Sequence, residues 1–257
     1  MFISNEIYIA SLLALGDAIT IKPLVKLWCS QYRKLYYATN PENIVSVSAL
    51  FADLPMVIIV PYTSAEDEQQ FINQHNLPVL NLRNIVARTP VVYHGYDQRI
   101  EIAINYDRQL YEYFEVPYSW RHKGWHANFD LDAAQRLYDM LNPTHEPYVL
   151  WHKSMSYYPQ GVPIDLSSYR QNLGKTDIKI IDILPEHTQN ILDYYLLIQR
   201  AQEIHCVPSS FHALVDSLIP HTKAELYYHD IKHNSLLQVN CWSNKFRWNA
   251  VYYAHKV

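Results

Sequence analysis

Glycine is scarce in this chain, five residues in 257, and the Gly-x-Ser-x-Gly elbow of the serine hydrolases is absent, so a serine in a strand–helix turn has no nucleophile motif around it. Cysteine is scarcer still. Cys29, Cys206 and Cys241 are an odd number without paired spacing, which indicates neither a disulfide framework nor a zinc ribbon and fits reducing, cytoplasmic conditions. Basic clusters are missing too. With 21 Lys and Arg against 25 Asp and Glu the net charge is −4, and a dedicated nucleic-acid binder, which carries a basic face, is not expected. No apolar run approaches the roughly 20 residues of a membrane span. The apolar N-terminal stretch contains Glu6 and no basic leader, which speaks against a signal peptide.

What the chain has is apolar material. Hydrophobic residues make up 49% and charged residues 18%, enough for one large α/β domain or two smaller ones of roughly 100–150 residues each. Aromatic content is 14%, with 22 tyrosines and six tryptophans. Tyrosine and tryptophan stack on sugar and base faces while keeping a hydrogen-bonding edge. The low-glycine coding bias of a viral or parasitic genome produces the same enrichment.

Strand and helix patterns alternate along the first half. "IYIASLLA" reads as a strand and "IKPLVKLWCSQY" as a helix with Leu24, Leu27 and Trp28 on one stripe. "KLYYAT" is the next strand, and "PENIVSVSALFA" a helix with proline at its first position. "MVIIVPY" reads as a buried strand, Ser64 caps the helix "AEDEQQFINQH", and "PVLNL" is a shorter strand. From Arg83 to Asp130 the pattern loosens: "RIEIAINYDRQLYEYFEV" is helical in its second half and "PYSWRHKGWHANFD" is aromatic and irregular. Asp130 or Asp132 then opens the helix "LDAAQRLYDML", which stops at Asn142-Pro143. A second alternation follows, with strands "PYVLWHK", "IKIIDIL", "EIHCVPS" and "AELYYHD" and helices "QNILDYYLLIQRA" and "SFHALVDSLI". This doubled order predicts an α/β protein of two Rossmann-like domains, residues 1–140 and 141–257, facing across a cleft, each with a parallel sheet of right-handed βαβ units. Ligands of such sheets bind outside the carboxyl ends of the strands, which selects Gly16-Asp17, His152-Lys153 and Pro208-Ser209-Ser210.

Each of these has a functional and a plain reading. Gly16 allows close backbone approach and Asp17 can accept a proton from a substrate hydroxyl. Alternatively, Asp17 caps a helix that starts at Ala18. Ser209 and Ser210, between a strand and a helix, suit a phosphate or diphosphate, since a helix start offers free N–H groups and a favourable dipole. A helix cap needs the same geometry. Lys153 is placed to neutralise donor phosphates, although lysines commonly just face solvent. His122/His126 and His229/His233 are spaced four apart, but neither pair has the acidic neighbour of a metalloprotease and Gly124 weakens the first helix, so both are read as non-metal.

"LGDAITIKP" resembles the N-terminal motif of the heptosyltransferases, in which Gly-Asp begins the loop and a proline follows inside the first helix; the spacing from Gly16 to Pro23 agrees. The resemblance implies the two-Rossmann GT-B architecture and transfer from a nucleotide diphosphate sugar to a hydroxyl acceptor, with inversion and without a metal or other cofactor. "VPSSFHAL" takes the place of the family's Asp-Thr-Gly-type turn before the helix that holds the donor diphosphate. Pro208 stands where the aspartate would be, Ser210 where the glycine would be, and His212 one position off the family's histidine. The turn is also similar to the "SSF" turn of uncharacterised glycosyltransferase-like proteins from phages and large viruses. Carried over, Asp17 is the catalytic base, and Ser209, Ser210 and Lys153 stabilise the departing diphosphate; Gly16, His152 and His212 are further donor-binding candidates, and Trp120, Arg121 and Trp125 of the aromatic, basic stretch are the acceptor-binding candidates. The partners implied are a nucleotide sugar and a glycan acceptor, with the oligomeric state open. A nucleotide-sugar epimerase or hydrolase, and a non-catalytic glycan-binding relic of a transferase, are the alternatives.

Overall fold

The computed structural model describes residues 5–88, 106–154, 161–175, 178–230 and 248–252. The chain divides into two compact units, residues 1–128 and 129–257.

Among the described residues, unit 1 is built on four parallel strands, β1 (Glu6–Ala10), β2 (Lys34–Thr39), β3 (Val57–Pro61) and β4 (Val79–Asn81), in the order β3-β2-β1-β4. The first helix, α1 (Leu15–Trp28), starts six residues before the run read as helical from sequence, because β1 ends at Ala10, before the apolar residues that look like its continuation. A short apolar run does not by itself distinguish strand from buried helix. Here Leu13 takes a left-handed backbone (φ 70°), which stops the strand. From Ala18 to Val25 every residue of α1 is buried, the ion-paired Lys22 included, so the helix is enclosed all round rather than striped. β3 corrects another expectation. Read as buried, it lies at the edge of the described sheet, and Ile58 is 39% exposed.

Helix α2 (Ile44–Leu50) follows a short 3-10 turn that begins at Pro41, and α3 (Ala65–His75) is capped by Ser64, whose Oγ accepts the Asp67 N–H at 3.1 Å. After α4 (Leu82–Arg88), the helices α5 (Tyr106–Tyr113) and α6 (Trp120–Lys123) return to α1. Pro23 sits inside α1 and has no N–H to give the carbonyl of Ile19 four residues earlier. The Trp125 indole Nε1–H donates to that carbonyl at 3.0 Å, and the Tyr111 hydroxyl donates to the neighbouring Thr20 carbonyl, also at 3.0 Å. A proline that would leave a buried acceptor unsatisfied is thus completed by a tryptophan far along the chain.

Unit 2 opens with α7 (Leu131–Leu141), whose N-cap is Asp130, its Oδ1 accepting the Ala133 N–H at 2.9 Å. Five parallel strands follow among the described residues, β5 (Tyr148–His152), β6 (Lys179–Asp182), β7 (Glu203–Cys206), β8 (Glu225–Asp230) and β9 (Trp248–Tyr252), in the order β6-β5-β7-β8-β9. β9 was not read from sequence. The helix expected over 189–201 is a 3-10 turn, Ile191–Tyr194, leading into the short α9 (Tyr195–Arg200). Helix α8 (Leu166–Asn172) covers one face of the sheet, where Leu166 packs with Val149, Trp151, Val162 and Val207. Helix α10 (Ser210–Ser217) covers the other, with Phe211 against His152 and His212 against Tyr228 and Trp248.

Candidate functional site

The strand order of unit 2 reverses at β5. From β5 the chain goes outward to β6, and from β7 it goes the opposite way to β8, so the carboxyl ends of β5 and β7 flank a switch point, where ligands of open α/β sheets bind. His152 ends β5 and Ser209 follows β7. The structure brings them together, with His152 Nδ1 and Ser209 Oγ 3.1 Å apart. Ser209 is also the N-cap of α10, its Oγ accepting the His212 N–H at 3.2 Å. The N–H groups of Ser210 and Phe211, in the first turn of α10, have no intrahelical acceptor. His152 is stacked on Phe211 with ring centroids 5.2 Å apart, and its pKa is brought down to about 4, by desolvation first and by the nearby His212 second. The imidazole is therefore neutral near pH 7.

A neutral imidazole beside a hydroxyl has two proton arrangements. In one, Ser209 O–H donates to His152 Nδ1. In the other, His152 Nδ1–H donates to Ser209 Oγ, and the Ser209 proton is turned outward. The second arrangement adds an O–H donor to the two backbone N–H groups at the start of α10.

Lys153 comes next. Its Nζ donates to Asp182 Oδ2 at 2.9 Å, joining the ends of β5 and β6. Gly161, with φ +87°, lies against the Lys153 stem so closely that a Cβ there would meet Lys153 Cγ at 2.8 Å. Asp182 escaped the sequence reading, since one aspartate at a strand end carries no spacing signal. A strand-end acid beside the first strand of a nucleotide fold is the usual partner of ribose hydroxyls. His212, in the first turn of α10, has its ring buried between Tyr228 and Trp248, at 4.9 and 4.7 Å.

In unit 1 the reversal falls between β1 and β4. The loop 11–14 is pinned there on three sides. Ser11 Oγ accepts the Leu13 N–H at 3.0 Å, Asn43 Nδ2 donates to the Leu13 carbonyl at 3.3 Å, and Arg83 Nε donates to the Ser11 carbonyl at 2.7 Å. Gly16 and Asp17 lie within the first turn of α1, not between strand and helix. The helix-cap reading of Asp17 is overturned: the N-cap is Ala14, and it makes no side-chain cap bond. Gly16 serves locally, its carbonyl accepting Thr20 Oγ1–H at 2.9 Å. Asp17 is half-buried and near Tyr37, whose phenol is pushed well above its ordinary pKa by burial first and by the Asp17 charge second.

The acceptor candidates separate. Trp120 is 37% exposed, whereas Arg121 has no exposed surface and Trp125 is 9% exposed with its indole N–H committed to Ile19. Trp125 completes a helix and Arg121 is a core residue; neither presents a face to a glycan. His126 approaches Asp53 at 3.5 Å, and His229 faces His205; His233 and Cys241 lie outside the described residues.

No protein-family model matches the chain, and no curated protein matches it by sequence. Solved structures do. The chain superposes on the crystal structure of a glycosyl transferase family 9 protein from Veillonella parvula with a TM-score of 0.56 at 10% identity, covering 98% of this chain and 87% of that one. It superposes on TibC, described as a dodecameric iron-containing heptosyltransferase in complex with ADP-D-β-D-heptose, with a TM-score of 0.52 at 12% identity, covering 100% of this chain and 65% of that one. For TibC from enterotoxigenic E. coli the values are 0.51 and 11%, covering 98% and 63%.

The likeness is one of fold. It is the α/β, parallel-sheet fold of heptosyltransferase-like glycosyltransferases, and the chain spans less than two thirds of TibC. The expected similarity to phage and large-virus proteins has no counterpart among these structures. The expectation of no cofactor does not stand, because TibC, which shares this fold, is described as iron-containing. Among the described residues no three His, Cys, Asp or Glu are grouped to hold an ion. No helix among them is long and apolar enough to cross a membrane.

Proposed function

We propose that the protein is a glycosyltransferase that binds a nucleotide diphosphate sugar in unit 2 and transfers the sugar to a hydroxyl acceptor served by unit 1. One observation carries this reading: the Ser209–His152 pair stands at the β5/β7 switch point, at the open start of α10. The likeness in fold to a heptosyltransferase solved with ADP-D-β-D-heptose supports a nucleoside diphosphate sugar as the donor class.

The diphosphate would lie at the first turn of α10, taking hydrogen bonds from the Ser210 and Phe211 N–H groups and the Ser209 and Ser210 hydroxyls. The anion selects the tautomer in which His152 donates to Ser209, so that Ser209 donates outward. Lys153 would exchange part of its bond to Asp182 for a phosphate oxygen, and Asp182 would accept ribose hydroxyls. Asp17 would take the proton of the acceptor hydroxyl as it attacks the anomeric carbon in line, inverting it, while the departing diphosphate stays on α10. The test is calorimetry with nucleoside diphosphates on the unmodified protein and on Ser209→Ala/Ser210→Ala. Saturable binding of one nucleotide that the double substitution weakens supports the site. Equal affinity in both proteins removes it.

A further inference from the structure

The face of the unit 2 sheet under α8 carries a buried polar chain that the proposed transfer does not use. Strand alternation places Glu203 and His205 of β7, and Glu225, Tyr227 and His229 of β8, on that face. The Glu203 carboxylate accepts Arg170 Nε and Nη2, Lys175 Nζ and His205 Nε2, each at 3.1 Å. On the other side of the ring, His205 Nδ1 and His229 Nε2 are 2.8 Å apart. His205 stacks on Tyr227 with ring centroids at 4.4 Å, while Trp151 and Tyr169 wall His229 at 4.9 and 5.6 Å. His205 and His229 are buried.

The proton positions follow from valence. An ionised carboxylate only accepts, so His205 Nε2 carries a hydrogen; a neutral His205 then accepts at Nδ1 from His229 Nε2–H. Both rings are held neutral. Burial lowers the pKa of His205 against the pull of Glu203, and burial, then His205, brings His229 down to about 3. Glu203 stays ionised: burial opposes its charge, and the hydrogen bonds from His205, Arg170 and Lys175 override it. Among the described residues the charges balance without the histidines, Arg170 and Lys175 against Glu203 and Glu225, which Lys175 reaches at 2.7 Å. Of the described residues on the neighbouring strands, the charged groups of β6 turn to other partners and those of β9 carry no charge. Lys179 of β6 turns to the Leu141 carbonyl and Asn142, Asp182 is taken by Lys153, and Trp248, Asn249 and Val251 of β9 are uncharged.

We propose that the Glu203–His205–His229 chain is an acid-released latch, which clamps residues 166–175 onto the sheet through Arg170 and Lys175 while both imidazoles are neutral and lets them go when the pair takes up a proton. The direction is set by linkage. A histidine with a depressed pKa binds its proton better once the segment opens, so the latch is strongest above the ordinary imidazole pKa of about 6.5 and weakens as pH falls below it. Glu203 adds its own weakening only below its ordinary value of 4.5. The window in which the histidines act alone therefore lies between about pH 6.5 and about pH 5.

Hydrogen exchange read by mass spectrometry on the full chain, corrected for intrinsic rates, tests this. The opening constant of amides in 166–175 is expected to rise by up to roughly tenfold per pH unit through that window, one proton per opening event. His205→Gln/His229→Gln keeps hydrogen-bonding side chains and removes both titrations, and is expected to flatten the profile. An unchanged slope in that variant, or a flat profile in the unmodified protein, overturns the latch. Should the variant fail to fold, nitrogen NMR of the unmodified protein decides: neutral Nε2–H rings for both residues at about pH 5.5 sustain it, and an imidazolium at either position in the folded state overturns it.

Discussion

Helices α1 and α10 both follow a strand at a switch point, yet their ends are completed in opposite ways. α10 (Ser210–Ser217) is finished locally, with Ser209 capping it from the adjacent position and His152 holding Ser209. α1 (Leu15–Trp28) is completed from elsewhere. Its N-cap Ala14 gives no side-chain bond, the loop before it contains a left-handed Leu13 pinned by Ser11 and Asn43, and its Pro23 break is mended by Trp125. A self-capped helix can offer hydroxyls and N–H groups to an anion. A helix assembled from remote pieces is suited instead to holding one carboxylate, Asp17, in a set place.

The sharpest break of that comparison is Asp17→Asn. On the proposed role of Asp17 as general base, the variant should lose roughly 10²–10⁴-fold in sugar transfer. Its melting should shift by no more than about 0.3–1 kcal/mol, the worth of an acid in a first helical turn. Full transfer activity in Asp17→Asn would leave the residue as a dipole partner only.

At α10 the matching experiment is Ser209→Ala/Ser210→Ala, with nucleotide affinity expected to fall by roughly 1–3 kcal/mol, the cost of hydrogen bonds to a charged group. Ser209→Ala alone should also cost about 1 kcal/mol in stability through the lost cap, which chemical denaturation would read.

Trp125→Phe sharpens the other side. It keeps an aromatic ring but leaves the Ile19 carbonyl without its indole donor, and should cost roughly 1–3 kcal/mol. The effect should shrink when Pro23→Ala restores a backbone N–H to that carbonyl. Equal penalties in both backgrounds would show that Trp125 acts by packing alone.

The smallest expected effect comes from giving α1 what α10 has. Ala14 is exposed and extended (φ −77°, ψ 146°), the geometry of a capping residue, so Ala14→Ser should stabilise unit 1 by about 0.5–1 kcal/mol. A melting temperature that stays flat would mean the first turn is already satisfied.

Most elements were legible because their signals are local. Ser64, Asp130 and Ser209 sit one residue before the helices they cap, and "KLYYAT" and "AEDEQQFINQH" match β2 and α3 residue for residue. The start of α1 was not legible, because the apolar run from Ile7 to Leu15 fits a strand and a buried helix equally. Arg121 and Trp125 misled for a related reason: sequence shows an aromatic, basic stretch but not which way it faces. Asp182 carried no signal until its strand was paired beside β5.

The sequence by itself determined the alternation of strands and helices and the serine cap of α10, since these depend on neighbours within one turn of chain. Tertiary structure alone decided that Trp125 would serve Ile19, 106 positions away, that Lys153 would meet Asp182, and that His205 would face His229. Those contacts depend on strand order and register, which no local pattern encodes, and an unsatisfied buried acceptor or charge takes whatever partner the fold brings within 3 Å or so.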